Sequence, residues 1–150
     1  MGLTYCLKML MAPAGRRELF YVGDQMLELL IVGFGGFIGA TGRYMIGGLL
    51  AERTGPGFPY ETLVINVTGC FAIGLFMTMA TETFNWHPHA RLFVAIGILG
   101  GYTTFSTLGY ETLKLVEDGN VLLGFANGIG SLTLGLIAVW LGTVLGRLFA

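Results

Sequence analysis

The chain has 150 residues, 54% of them hydrophobic and 11% charged, with a net charge of -1, and its mean hydropathy is +0.74. Soluble domains average about 25% charged residues, so the composition excludes a soluble globular protein and fits one small membrane domain. The near-neutral charge gives no ground for a nucleic-acid or acidic partner, and Cys6 and Cys70 are too isolated for a disulfide framework or a zinc site.

Residues 1–25 join a mildly apolar run, Met1 to Met11 with Lys8, to a polar stretch holding Pro13, Gly15, Arg16, Arg17 and Asp24. A signal peptide places its basic residues before the apolar core, whereas Arg16 and Arg17 follow it. The run is also too short to cross a bilayer. The expectation is a natural start at Met26, or else an extension lying on the membrane surface, ahead of a four-helix domain over residues 26–150. The first spanning helix is expected over about 27–50. In it Gly35, Gly36 and Gly39 form a small-residue face that lets two backbones approach closely. Arg43 falls near the inner end of this apolar helix, either as a functional charge or as a side chain snorkelling to the headgroups.

Residues 52–59 are dense in turn formers, and a second helix follows over about 61–84. Asn66 lies deep in it among Leu63, Val64, Ile65 and Val67. A buried amide without partners costs roughly 2–7 kcal/mol, so Asn66 makes a helix-to-helix hydrogen bond or lines a pore as a donor; both readings stand. In residues 85–91, His87 and His89 flank Pro88 with no third ligand nearby, and Trp86 reads as an interfacial anchor. A third helix is expected over about 92–116, a polar turn over 117–120 and a fourth helix over about 121–148. Asn127 and Ser131, four apart, share one face of that last helix. Gly124, Gly128, Gly135, Gly142 and Gly146 supply further close-packing positions along it.

The third helix contains the stretch Gly100-Gly101-Tyr102-Thr103-Thr104-Phe105-Ser106-Thr107-Leu108-Gly109-Tyr110-Glu111. Four of five consecutive positions are hydroxyls, Thr103, Thr104, Ser106 and Thr107, which a lipid-facing helix has no use for. Irregular backbone at membrane depth survives only where protein or a polar cavity surrounds it. The paired glycines allow a break near the centre of the helix, and a break frees carbonyls and amides that can hold ions. The expected feature is a discontinuous helix around an ion path. No nucleophile elbow, HExxH, phosphate loop or placed carboxylate pair is present, so an enzyme is not expected.

With a start at Met26, both termini and the middle loop share one side of the membrane with Arg91 and Arg147, while Arg53 and Lys114 lie on the other. Lysine and arginine counts set insertion direction, and here they balance. Copies are therefore expected to insert both ways and to pair as an antiparallel two-fold dimer.

From about Met26 to the C-terminus the chain resembles the Fluc family of fluoride channels, also called CrcB. The resemblance rests on Gly35-Gly36-Phe37-Ile38-Gly39-Ala40 with Arg43-Tyr44, then Thr62-Leu63 with Asn66 and Gly69, then GGYTTFST with Glu111, in that order. It implies an all-α protein of four transmembrane helices per chain, the third broken near its centre, in a dual-topology antiparallel homodimer of the cell (inner) membrane. Two fluoride pathways would follow the subunit interface, exporting fluoride passively from the cytoplasm. A structural sodium ion would sit at the dimer centre, held by the backbone carbonyls of Gly100 and Thr103 from both copies. The fluoride path would use Asn66, the aromatic edge of Phe105 and the hydroxyls of Ser106 and Thr107, with Arg43 drawing anions inward and Glu111 near one end. Asn127 and Ser131 would correspond to polar positions of the fourth helix.

Two positions depart from the family pattern. Leu108 stands where the family usually has a second phenylalanine, which removes one aromatic edge from the path, and Glu61 stands where glycine is common. Two other functions are expected to fail. A proton-coupled small multidrug exporter needs an embedded carboxylate in its first helix, and residues 29–50 have none. A non-transporting scaffold explains the glycine faces but not the hydroxyl cluster.

Overall fold

The computed structural model describes residues 14–55, 57–84 and 86–149, and every regular element among them is helical. Helix α1 spans Ala14–Thr54 and α2 spans Tyr60–Thr78, which widens into a π-helical turn over Met79–Thr83. A short α3, Pro88–Arg91, leads into a π-helical segment over Leu92–Leu99 and then α4, Gly100–Tyr102. Helix α5 covers Phe105–Glu117 and α6 covers Val121–Arg147. Four stretches are long and apolar enough to cross a membrane: Asp24–Thr54, Tyr60–Glu82, Pro88–Glu117 and Val121–Arg147. The all-helical, four-span architecture is the expected one.

The element ends follow local chemistry. Pro88 opens α3 at its first turn, where a missing N–H costs nothing, and the His87 Nδ1 atom accepts the His89 N–H at 3.2 Å. Gly55 and Gly119 end α1 and α5 with φ of 73° and 83°, a conformation that side chains resist. Helix α1 begins at Ala14, and the span within it, Asp24–Thr54, starts close to the expected residue 27. Charged residues end an apolar run without ending a helix, because Arg, Glu and Leu are all good helix formers. Residues 1–13 of the expected extension lie outside the described residues. Neither π-helical segment was foreseen; a π turn has no sequence pattern of its own and is set by packing.

The spans meet through backbone rather than through large side chains. The second and fourth spans share the most extensive contact, where a Cβ on Gly142 would strike the Phe71 carbonyl and one on Gly74 the Val139 carbonyl. The first span lies along Leu92–Leu99 and α4, while α5 turns to α6 instead. The third span thus changes partner part-way along its length. A Cβ on Gly97 would fall 2.9 Å from Gly35 Cα and 3.1 Å from the Val32 carbonyl, so the glycines fix this spacing. Among the described residues the buried apolar side chains are just Ile65, Ala80 and Ala138, while Phe34, Phe37, Leu122 and Trp140 face outward. In lipid, close packing of small residues replaces the hydrophobic drive that assembles soluble bundles.

Gly97→Ala is expected to lower stability by about 1–3 kcal/mol through overpacking against backbone that cannot yield. Gly33→Ala, where a Cβ meets nothing within 4 Å, should leave stability unchanged. Thermal unfolding of the detergent-solubilised variants, followed by circular dichroism, checks the contrast.

Candidate functional site

The helical backbone stops at Tyr102 and resumes at Phe105, with Thr103 (φ -86°, ψ 157°) and Thr104 (φ -149°, ψ 117°) both extended between them. Extended backbone inside an apolar span leaves polar groups that must be paired. Asn66, on α2, meets this need with its whole carboxamide. Its Nδ2 donates to the Thr104 carbonyl at 3.1 Å, and its Oδ1 accepts the Thr104 N–H at 2.9 Å. Of the two readings left open by the sequence, the structure displays the helix-to-helix hydrogen bond, made to backbone on both sides of the amide.

The pairing redirects neighbouring groups. In an unbroken helix the Thr104 N–H would donate to the Gly100 carbonyl; here it goes to Asn66. The Thr107 N–H, which would serve the Thr103 carbonyl, donates instead to Thr104 Oγ1 at 3.2 Å. The carbonyls of Gly100 and Thr103 both lose their helical donors, and oxygen donors of this kind suit a hard cation such as sodium. Between them in sequence, the Gly101 carbonyl accepts from Arg43 Nε at 3.3 Å. Arg43 is therefore tied to the interrupted backbone rather than extended to a headgroup.

Thr104 also caps α5. Its hydroxyl lies 3.0 Å from Thr107 Oγ1 and 3.2 Å from Ser106 Oγ, which gathers the hydroxyls at the positive end of the helix dipole. Thr103 turns away, donating its hydroxyl to the Leu99 carbonyl at 3.0 Å. Phe105 projects outward from the chain, 85% exposed. Leu108 lies one turn further along and is half-buried.

An open groove of about 810 Å³ runs beside this region, lined by Asn66, Gly100, Thr103, Thr104, Phe105, Leu108, Thr112 and Ser131 together with apolar residues of α2 and α6. Arg43, Ser106, Thr107, Glu111 and Asn127 are not on its wall. Glu111 Oε1 accepts from Thr62 Oγ1 at 2.8 Å, joining the second and third spans. Asn127, fully buried, donates through Nδ2 to Thr112 Oγ1 at 3.0 Å. Glu111 Oε2, Asn127 Oδ1 and Ser131 Oγ are buried without a hydrogen-bond partner among the described residues, an uncommon state for native polar atoms.

Thr112 escaped the sequence reading, and Thr104 and Tyr102 appeared in it only as members of the glycine and hydroxyl stretch. Thr112 holds Asn127, and Thr104 both caps α5 and receives Asn66. The Tyr102 hydroxyl meets Thr68 Oγ1 at 3.0 Å. A lone threonine or tyrosine in a helix has no distinguishing pattern; for Thr104, the available signal was its place in the hydroxyl run after paired glycines.

The profile of the family described as "CrcB-like protein, Camphor Resistance (CrcB)" matches residues 30–143. The chain belongs to the CrcB family. Among its relatives, the "Fluoride-specific ion channel FluC" of Solibacter usitatus is 47% identical over 121 residues, covering 81% of this chain and 99% of the relative. The protein of the same name from Acidobacterium capsulatum is 45% identical over 121 residues, 81% of this chain and 97% of the relative. That from Clostridium novyi is 40% identical over 125 residues, 83% and 98% of the two chains. The family comprises ion channels and not enzymes, as the absence of catalytic motifs led us to expect. With four membrane-crossing helices, this CrcB member is a multi-pass membrane protein.

Replacing Asn66 by leucine should strand both the N–H and the carbonyl of Thr104, at a cost of about 2–4 kcal/mol. Asn66→Asp should cost less, since a carboxylate still accepts from the N–H but repels the carbonyl. The order wild type, Asp, Leu in melting temperature is the measurement; equal melting temperatures for all would mean that the pairing does not hold the segment.

Proposed function

We propose that the chain is a fluoride-selective channel, passively exporting fluoride from the cytoplasm across the inner membrane as an antiparallel, dual-topology homodimer with two pathways along the subunit interface. The observation that carries this reading is the Asn66–Thr104 pairing, which holds an interrupted backbone beside clustered hydroxyls. The relatives named as fluoride-specific channels supply the ion.

Fluoride is small and strongly hydrated, so a pathway must offer donors in place of its water shell. Ser106 and Thr107 bring rotatable O–H groups at the N-terminal end of α5, where the helix dipole favours an anion. Asn66 keeps one N–H beyond those engaged with Thr104. Phe105, exposed on the subunit surface, offers the positive edge of its ring. Ser131 and Asn127 add buried polar atoms with unused capacity on the fourth span; Arg43, tied to the Gly101 carbonyl, would draw anions inward, and Glu111 would stand nearer one end of the route. The carbonyls of Gly100 and Thr103, stripped of their helical donors, are the groups that would hold a structural sodium ion between two copies. Such a cation supplies positive potential for a passing anion.

Purified protein in liposomes should release fluoride and not chloride on addition of an ionophore; silence for both ions would overturn the channel in favour of a scaffold. Phe105→Ile should slow fluoride efflux about tenfold, the rate equivalent of losing ~1.4 kcal/mol of ring-edge contact. Leu108→Phe should speed it by restoring a second edge. Exchange of sodium for N-methyl-D-glucamine should suppress efflux if the carbonyl pair holds the cation.

A further inference from the structure

The short helix α4 is held by two other spans. From the first span, Arg43 Nε donates to the Gly101 carbonyl at 3.3 Å. A Cβ on Gly101 would lie 2.7 Å from the Gly36 carbonyl, so backbone meets backbone there. From α2, Thr68 Oγ1 lies 3.0 Å from the Tyr102 hydroxyl. A threonine hydroxyl has one hydrogen, and that of Thr68 goes to its own helix, 2.7 Å from the Val64 carbonyl and 3.1 Å from that of Ile65. Tyr102 is therefore the donor of the pair. Its ring lies against Gly69, where a Cβ would come within 3.3 Å of Tyr102 Cδ1.

Both anchors fall between the two carbonyls that the interruption releases. Gly100 and Thr103 line the open groove, and the tied residues, Gly101 and Tyr102, stand between them in the chain. In an unbroken helix the Gly101 carbonyl would accept from the Phe105 N–H; Arg43 takes that place here. The Tyr102–Thr68 bond is exposed, and a bond of that kind adds little to the fold as a whole. What it removes is the freedom of the segment to turn about its paired glycines. Ligand groups held in the binding arrangement before an ion arrives bind it more tightly, because a larger fraction of the population is competent.

We infer that Tyr102 is a positioning residue for the proposed cation: its bond to Thr68, with Arg43 acting from the first span, presets the Gly100 and Thr103 carbonyls. The inference rests on the sodium reading above and assigns it a residue that touches neither ion. Thr68 has no hydrogen left for an anion, and Tyr102 spends its own on Thr68. The pair therefore adds no donor to the fluoride route, and its loss is felt in cation affinity.

The test follows the melting temperature of the detergent-solubilised protein as sodium chloride replaces N-methyl-D-glucamine chloride at constant ionic strength. An ion that binds the native state raises that temperature, and the rise yields an apparent sodium dissociation constant. Y102F and T68V should each raise the constant about tenfold, roughly threefold from each of two copies. Y102F/T68V should raise it no further than either change alone. Y110F, which alters a tyrosine 70% exposed, should leave it unchanged. A constant unmoved in Y102F and T68V, whatever their melting temperature without sodium, would make the bond merely structural and overturn the inference. A wild-type melting temperature indifferent to sodium would overturn the cation reading and the inference together, while fluoride efflux from liposomes judges the channel reading separately.

Discussion

One carboxamide carries the arrangement of the third span. An extended dipeptide in the middle of a membrane helix exposes backbone groups that lipid cannot satisfy. Asn66 answers the N–H and the carbonyl of a single residue, Thr104, at 2.9 and 3.1 Å. No other amino acid of that length offers a donor and an acceptor side by side in one plane. Because the Thr104 N–H is committed to this pair, the carbonyl of Gly100 is left over, and because Thr104 Oγ1 takes the Thr107 N–H, so is that of Thr103. The oxygens proposed to hold a cation and the hydroxyls proposed to pass an anion are two outcomes of the same hydrogen-bond exchange.

The interruption also redirects packing. Upstream of it, the third span lies on the first, drawn close by glycine on both sides; downstream, α5 lies on α6. A straight helix could not follow both neighbours. Two extended residues let the chain change course while Arg43 ties the first span to the Gly101 carbonyl and Glu111 ties the third to Thr62. Arg43, Thr62, Asn66, Glu111 and Asn127 thus sit at the joints between spans, while Phe34, Phe37, Leu122 and Trp140 lie on the outside.

Much of this was legible in the sequence. Four apolar stretches separated by turn formers located the spans to within a few residues; the helical turns of α1 ahead of its span carry no long apolar run to mark them. Paired glycines followed by four hydroxyls marked the irregular region. Asn66 was visible as an amide that needed partners, but a sequence does not say which backbone groups lie across from it, so its partner Thr104 was out of reach. Thr112 and the π-helical segments were invisible for a related reason. Each depends on what packs opposite, and neither has a composition or period that distinguishes it from ordinary helix.

The wide turns over Leu92–Leu99 have a consequence for the length of the chain. An α-helix advances about 100° per residue, and a turn closed by i→i+5 bonds advances less. The eight-residue segment therefore delivers Thr104 to Asn66 at a rotational phase that an α-helix of the same length would overshoot. Tightening the segment at constant length would swing Thr104 off the amide, whereas losing one residue as the turns tighten would bring it part of the way back.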